Sequence, residues 1–375
     1  MKVMTVLGTR PEAIKLAPVL LALRSTTGID SRLCVSGQHR EMLDPMLAAF
    51  DLRPDDDLQL MRPGQSLAHT TQAVLDGVSA LLRRDRPDWL LVQGDTTTAM
   101  AAALAGFYEH VAVGHVEAGL RTYDPQSPWP EEINRRLIAP MAALHFAPTR
   151  AAADNLLREG LPAADILVTG NTGIDALTLM AADPRGDVGL EALLDRQAPA
   201  LRASARRLVL VTLHRRESLG APLAGLCRAL AALARRGDVE ILFPVHLNPQ
   251  VQAVVMPALV GLAQVHLLPP LDYPTFVALL KRAHLVVTDS GGLQEEGAAL
   301  HVPVIVARDR TERQEAIDAG TAVLGGTDER GLLETCNGLL DDDARRARMA
   351  QAPNPFGDGR AAQRIVAALA GRTRA

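Results

Sequence analysis

The residues of this 375-residue chain best suited to chemistry stand in loops that follow short apolar runs. Asp95 comes just after Trp89–Val92, in the stretch Gln93-Gly94-Asp95-Thr96. There it occupies the carboxyl end of an expected strand, although Asp95 or Thr96 also suits a plain helix N-cap. Glu117 follows Val111–Val116. A carboxylate at that place is costly unless it is paired or ionises for a purpose, and Arg121 is the nearby candidate partner. Glu131 and Glu132 follow Pro128-Trp129-Pro130. The prolines put them in a helix first turn, where acids also suit the macrodipole.

A second group of loops is suited to anions. In Gly8-Thr9-Arg10-Pro11-Glu12, Gly8 permits a tight turn and Pro11 a helix start. Arg10 and Lys15 flank that helix N-terminus, a favourable place for phosphate; a first-turn Arg and a solvated Lys is the equal alternative. The loop lacks the GxGxxG spacing of a dinucleotide site. Ser290-Gly291-Gly292, between an apolar run and a helix, offers backbone N–H groups and close approach to an anion. Glu296, one turn further, can accept hydrogen bonds from ribose hydroxyls. His214-Arg215-Arg216-Glu217 adds positive charge, and His214 suits acid–base work or donation to phosphate. Pro244-Val245-His246 repeats the strand-loop-His theme, and Arg308–Glu315 is either a solvated loop or a ligand-gripping wall.

These loops need strands and helices to position them. Lys2–Leu7, Arg32–Val35, Trp89–Val92, Val111–Val116 and Ile166–Val168 read as buried strands. Amphipathic stretches at Pro11–Arg24, Ser66–Arg83, Thr96–Tyr108 and Thr149–Glu159 lie between them. Alternation lapses over 183–206, rich in Asp, Arg, Ala and Pro, which reads as a linker with room for a short helix. It restarts at Leu208–Leu213 and continues through Glu240–Phe243, Val265–Leu267, Leu285–Thr288 and Val302–Val306. Such alternation predicts an α/β protein of two Rossmann-like, doubly wound domains with parallel sheets. The first spans 1–182 and the second 207–358, with a terminal helix in 359–375. Ligands of such sheets sit beyond the carboxyl ends of the strands, so the expected active site lies in the interdomain cleft.

Composition excludes several classes. Hydrophobic residues make up 48% and charged residues 22%, as in ordinary globular proteins, and the net charge of −4 gives no bulk pull toward nucleic acid or acidic membrane. Cys34, Cys227 and Cys336 are far apart and odd in number, which argues for a reducing compartment and against disulfides or structural zinc. The N-terminal stretch reads as strand, loop and helix, not as a signal peptide, and no apolar run is long enough to span a membrane. Cytoplasm is the expected location.

Taken in order, these loops resemble the non-hydrolysing UDP-N-acetylglucosamine 2-epimerases. The matching pieces run from Gly8-Thr9-Arg10-Pro11-Glu12 to Asn354-Pro355-Phe356-Gly357-Asp358-Gly359. Between them fall Gly37–Met42, Gln93–Thr96, Val116–Arg121, Pro130–Glu132, His214–Glu217, Asp289–Gly292 and Thr311–Arg313. The resemblance implies the GT-B-type architecture, in which the last helix returns to the first domain. It implies interconversion of UDP-N-acetylglucosamine and UDP-N-acetylmannosamine for cell-envelope polysaccharides, with no metal and no cofactor. It casts Asp95, Glu117 and Glu131 as acid–base groups, with His214 beside the diphosphate. Arg10, Lys15, Ser290, Gly291, Gly292, Glu296 and Arg313 match nucleotide-sugar contacts, and Phe276 a position near the uracil. Some members bind a second UDP-N-acetylglucosamine as activator; Gln38, Glu41, Glu131, Arg215 and His246 fall on those positions. Gly64 stands where activator-dependent members carry Arg, Leu271 where relatives often have Gln, and Gln314 where they often have Pro. Relatives are typically homodimers. The rival readings are an epimerase of a modified sugar, such as a diacetamido uronic acid, a glycosyltransferase of the same architecture, and a silent nucleotide-sugar sensor.

Overall fold

Runs of Val, Leu and Ile buried on both faces are the mark of parallel sheets covered by helices. The computed structural model describes residues 1–37, 40–60, 64–199, 201, 204–215 and 218–372. It divides into two compact units, one of Met1–Ala176 with Phe356–Ala375 and one of Leu177–Pro355.

The first unit holds β1 (Lys2–Leu7), β2 (Asp30–Val35), β3 (Asp56–Asp57), β4 (Trp89–Gln93), β5 (Ala112–Val116), β6 (Leu144–Ala147) and β7 (Ile166–Val168). They pair in parallel in the order β3-β2-β1-β4-β5-β6-β7. Winding reverses between β1 and β4, which pair through Val3↔Trp89, Met4↔Leu90 and Thr5↔Leu91. The loops after those two strands therefore open at the topological switch point, where open α/β sheets bind ligands. The loop after β1 starts the helix Arg10–Ser25 with a capping box. The Thr9 side chain faces the Glu12 N–H, and the Glu12 carboxylate accepts from the Thr9 N–H at 2.8 Å.

The terminal helix, Ala361–Gly371, also belongs to this unit and packs on the helix Arg10–Ser25. Its docking has a specific cause. The buried carboxylate of Asp175 accepts from the N–H groups of Ala361 and Ala362, at 3.2 and 2.8 Å, and so caps the incoming helix.

In the second unit β8 (Arg207–Thr212), β9 (Val239–Pro244), β10 (Val265–Leu268), β11 (Leu285–Thr288), β12 (Val304–Val306) and β13 (Ala322–Leu324) form a parallel sheet. Its order is β10-β9-β8-β11-β12-β13. The reversal falls between β8 and β11, so the loops at 213–215 and 289–290 take the places that the loops after β1 and β4 hold in the first unit.

The stretch expected as a linker differs from that expectation. It carries a 14-residue helix, Pro184–Gln197, capped by the Asp183 side chain on the Arg185 N–H. The helix buries Leu190, Leu193 and Leu194 and packs on the helix Tyr273–Arg282 of its own unit. Gly186 and Gly189 make the close approach: a Cβ at either would lie 2.5 Å from Pro274 O or 2.4 Å from Thr275 Oγ1. These two glycines are packing residues.

One glycine shapes the site directly. After β5 the backbone is left-handed at Glu117 (φ 62°) and again at Gly119 (φ 90°). A Cβ at Gly119 would stand 2.2 Å from the carbonyl oxygen of Ala152. Gly119→Ala is expected to destabilise the chain by about 2–4 kcal/mol, from backbone strain plus overlap. Thermal unfolding checks this, and an unchanged midpoint contradicts it.

Candidate functional site

The loops after β1, β4 and β5 and the start of the helix Glu131–Ile138 enclose a pocket of about 530 Å³. Its lining includes Arg10, Lys15, Asp95, Glu117 and Glu131. Five residues singled out in the sequence, from four separate segments, are thus brought together within one unit.

Glu117 is gripped from two sides. The Lys15 ammonium pairs with its Oε2, and Gln93 Nε2 donates to the same oxygen at 2.6 Å. Arg121, the partner expected from sequence, instead binds Glu159 through two bonds of 2.8 and 2.7 Å. The left-handed turns at Glu117 and Gly119 separate Arg121 from the pocket, while the helix that begins at Arg10 carries Lys15 into it.

Asp95 is strongly perturbed. Burial, then the neighbouring Glu117 charge, push its pKa up to about 6; Glu131 adds to this, and Arg135 and Lys15 oppose it. The Arg135 guanidinium is 3.5 Å away, and the Asp95 side chain keeps 29% exposure. Near neutral pH such a group is present in both protonation states, which suits proton transfer. Arg135 is itself shared with the buried Glu132, which accepts from it at 2.8 Å. Glu132 also takes the N–H groups of Thr122 and Tyr123, each at 3.0 Å. Burial opposes its ionisation, and these donors together outweigh burial and hold it below the usual range. Adjacent glutamates thus differ in role: Glu131 lines the pocket, and Glu132 ties down the 122–123 loop.

Glu12 forms part of the pocket wall from beneath. Its carboxylate accepts from Gly8 N–H, Thr9 N–H, Thr9 Oγ1 and, at 2.7 Å, Thr96 Oγ1. Burial nonetheless raises its pKa. Sequence reasoning missed Glu12, Gln93 and Arg135 as site residues. The Thr9-x-x-Glu12 capping signature was a legible sign for Glu12; no local pattern marks the other two.

In the second unit the loops after β8 and β11 meet at Asp289. This carboxylate is fully buried and accepts from the N–H groups of His214 (3.0 Å) and Arg215 (2.9 Å). His214 stacks on His246 with ring centroids 5.4 Å apart, and its Nδ1 lies 3.7 Å from Asp289. Burial lowers the His214 pKa against the pull of Asp289, with His246 and Arg215 adding to the fall. Ser290 is the N-cap of the helix Gly291–Ala299, and its N–H donates to Thr288 Oγ1 at 2.9 Å. The first helical N–H groups have no partner within a helix, so this turn can receive an anion.

Glu296, half-buried on that helix, accepts from Tyr273 Oη at 3.4 Å. Arg313 pairs with Glu295. Glu312 is bound by Arg215 at 2.8 Å and by Arg308; burial works against its ionisation, and these cations and hydrogen bonds pull it to about 2. The charged stretch 308–315 is therefore cross-linked and not simply solvated. Phe276 is half-buried on the helix Tyr273–Arg282, and His246 is exposed. Of the other activator-site positions, Glu41 falls in the helix Arg40–Ala49 and Gln38 lies outside the described residues.

A family model described as UDP-N-acetylglucosamine 2-epimerase matches residues 21–370. The chain belongs to the UDP-N-acetylglucosamine 2-epimerase family. The UDP-N-acetylglucosamine 2-epimerase of Yersinia pestis is 49% identical over 370 residues, covering 98% of each chain. A solved UDP-N-acetylglucosamine 2-epimerase from Neisseria meningitidis, bound to UDP-N-acetylglucosamine, is 42% identical, with a TM-score of 0.89 over 99% of this chain and 100% of that one. The glycosyltransferase SnogD of Streptomyces nogalater is 19% identical with a TM-score of 0.60 over 98% of this chain and 99% of that one, a likeness of fold alone. For this member of the epimerase family the fold is α/β with two parallel sheets, as its sequence predicts. Among the described residues no helix is long and apolar enough to cross a membrane, and no cluster of His, Cys, Asp and Glu has the arrangement of a metal site.

The Asp95 pKa gives a direct check. Between its ordinary value of 3.8 and about 6 the folded chain keeps a proton that the unfolded chain has lost. This group therefore favours folding at acid pH, and that contribution fades as pH rises through the window. Glu117→Gln removes the second cause of the shift and releases Lys15 beside Asp95. Asp95 is then expected to titrate clearly below about 6 in a carbon-13 NMR titration; an unmoved or higher value contradicts the assignment.

Proposed function

We propose that this chain interconverts UDP-N-acetylglucosamine and UDP-N-acetylmannosamine, as a non-hydrolysing 2-epimerase. The observation that carries the reading is the pocket in which Asp95, Glu117 and Glu131 converge beside Lys15 and Arg10. Carbon 2 of the sugar has no carbonyl beside it, so its proton is weakly acidic and direct exchange is slow. Expelling the UDP group removes that obstacle.

In the proposed reaction a carboxylate takes the carbon-2 proton while the bond between carbon 1 and the diphosphate oxygen breaks. The electron pair of the carbon–hydrogen bond becomes the double bond of a 2-acetamidoglucal, and UDP leaves with the pair of the broken bond. Re-addition of UDP at carbon 1 with protonation of the opposite face of carbon 2 gives the epimer. One group must accept a proton and another must donate one, and a carboxyl that titrates at about 6 can serve in either state. Nothing is oxidised overall, so the reaction requires no redox cofactor.

The second unit is proposed to hold the leaving UDP. The Ser290-Gly291-Gly292 turn supplies N–H groups to the diphosphate, with His214 and Arg313 adding charge or hydrogen bonds, Glu296 at the ribose and Phe276 near the base. Stabilising the departing diphosphate lowers the barrier to the elimination. The wider reading is an enzyme of the cytoplasm that serves cell-envelope polysaccharide synthesis, acts as a homodimer and takes a second substrate molecule as activator.

Incubation with UDP-N-acetylglucosamine alone tests the proposal. UDP-N-acetylmannosamine is expected without any acceptor, whereas a glycosyltransferase makes none. Asp95→Asn is expected to lower kcat by about 10²–10⁴-fold while UDP binding persists. Near-normal turnover in that variant removes Asp95 from the mechanism.

A further inference from the structure

Three consecutive residues of the Asp95 turn are held by buried side chains from three different elements. The Gly94 carbonyl accepts from His115 Nε2 at 2.7 Å. The Asp95 carbonyl accepts from Asn134 Nδ2 at 2.9 Å. Thr96 Oγ1 donates to Glu12 Oε1 at 2.7 Å. Glu12 and His115 are each 1% exposed and Asn134 6%.

Each holder shares an element with another group of the pocket or stands on the strand that leads into it. Glu12 is one turn before Lys15 on the helix Arg10–Ser25. His115 is on β5, two residues before Glu117. Asn134 is one turn after Glu131 on the helix Glu131–Ile138. Each bond therefore ties the Asp95 turn to the helix that carries, or the strand that leads directly into, one further ionisable group. A carbonyl can only accept, so the His115 ring must carry its proton on Nε2. Its Nδ1 is buried with no partner among the described residues, a cost that the fold retains while the bond to Gly94 is kept. Burial keeps the ring neutral, with a pKa lowered to about 3, so that tautomer persists across the working range.

We propose that Glu12, His115 and Asn134 are positioning residues that fix the Asp95 turn relative to the helices carrying Lys15 and Glu131 and the strand leading into Glu117. The inference rests on Asp95 being an acid–base group of the reaction above. Reacting groups gain most of their advantage from fixed geometry, and a misplacement of about 1 Å costs about 100-fold in rate.

The test uses the full chain with His115→Met, His115→Gln and Asn134→Ser. Methionine removes the donor, while the glutamine amide N–H reaches the position of Nε2. Serine at 134 is too short to reach the Asp95 carbonyl and keeps a small polar group. Glu117, Arg135, Lys15 and Glu131, which face Asp95, are untouched in all three. H115M and N134S are expected to lower kcat about 10–100-fold with KM little changed. The Asp95 NMR titration is expected to move away from about 6 in both. H115Q is expected to regain most of the lost kcat and the original titration. Circular dichroism and thermal unfolding establish that the variants fold; if one does not, the other carries the test.

Folded H115M and N134S with wild-type kcat and an unmoved Asp95 titration overturn the proposal. So does an H115Q enzyme as impaired as H115M. The titration needs no turnover. A wild-type chain that makes no epimer, while Asp95 still moves in the variants, overturns the epimerase reading and leaves the positioning intact.

Discussion

Asp95 sits among charges that only partly cancel. Its neighbours include two carboxylates, Glu117 and Glu131, and two cations, Lys15 and Arg135. Both cations are also committed elsewhere, Lys15 to Glu117 and Arg135 to Glu132. Burial, together with the remaining imbalance, lifts Asp95 from 3.8 to about 6, roughly 3 kcal/mol against ionisation at most. A surface aspartate with a full counter-charge would stay ionised and be a poor proton donor. The surrounding structure is arranged to sustain this frustration: the sheet reversal brings the loops together, and the left-handed turn at Glu117 points its carboxylate toward Lys15.

The two units apply the same topology to different work. Each opens its loops after the first strand and after the strand beside it at the reversal, and each places a buried acid there that organises backbone donors. In the first unit that acid is Glu12, which collects the N–H groups of Gly8 and Thr9. In the second it is Asp289, which collects those of His214 and Arg215. The first unit then lines its pocket with carboxylates, and the second presents a Ser-Gly-Gly helix start with histidines nearby. One arrangement suits proton transfer and the other suits a phosphate.

Much of the fold was legible in the sequence because strands buried on both faces are continuous apolar runs, and the candidate site residues fall just after them. Trp89–Val92 and Val111–Val116 announced β4 and β5, and hence Asp95 and Glu117. What stayed hidden depends on partners distant in the chain. Nothing local marks Lys15 rather than Arg121 as the partner of Glu117, since the choice is made by a helix start more than 100 residues upstream. Short strands also escaped: β3 is only Asp56–Asp57, β13 has three residues, and β6 carries His145 in its middle. The stretch 183–206 read as linker because it is rich in Asp, Arg, Ala and Pro. The length of the helix Pro184–Gln197 depends on packing against a distant helix through two glycines, which propensity alone disfavours.

In the proposed reaction, carboxylates of the first unit move a proton at carbon 2 of a UDP-linked sugar. Proton NMR of the reaction in deuterated water tests it most directly. Both UDP-N-acetylglucosamine and UDP-N-acetylmannosamine are expected to acquire deuterium at carbon 2 as they approach equilibrium. Epimer formed with the original hydrogen fully retained, or no exchange and no epimer at all, would contradict it.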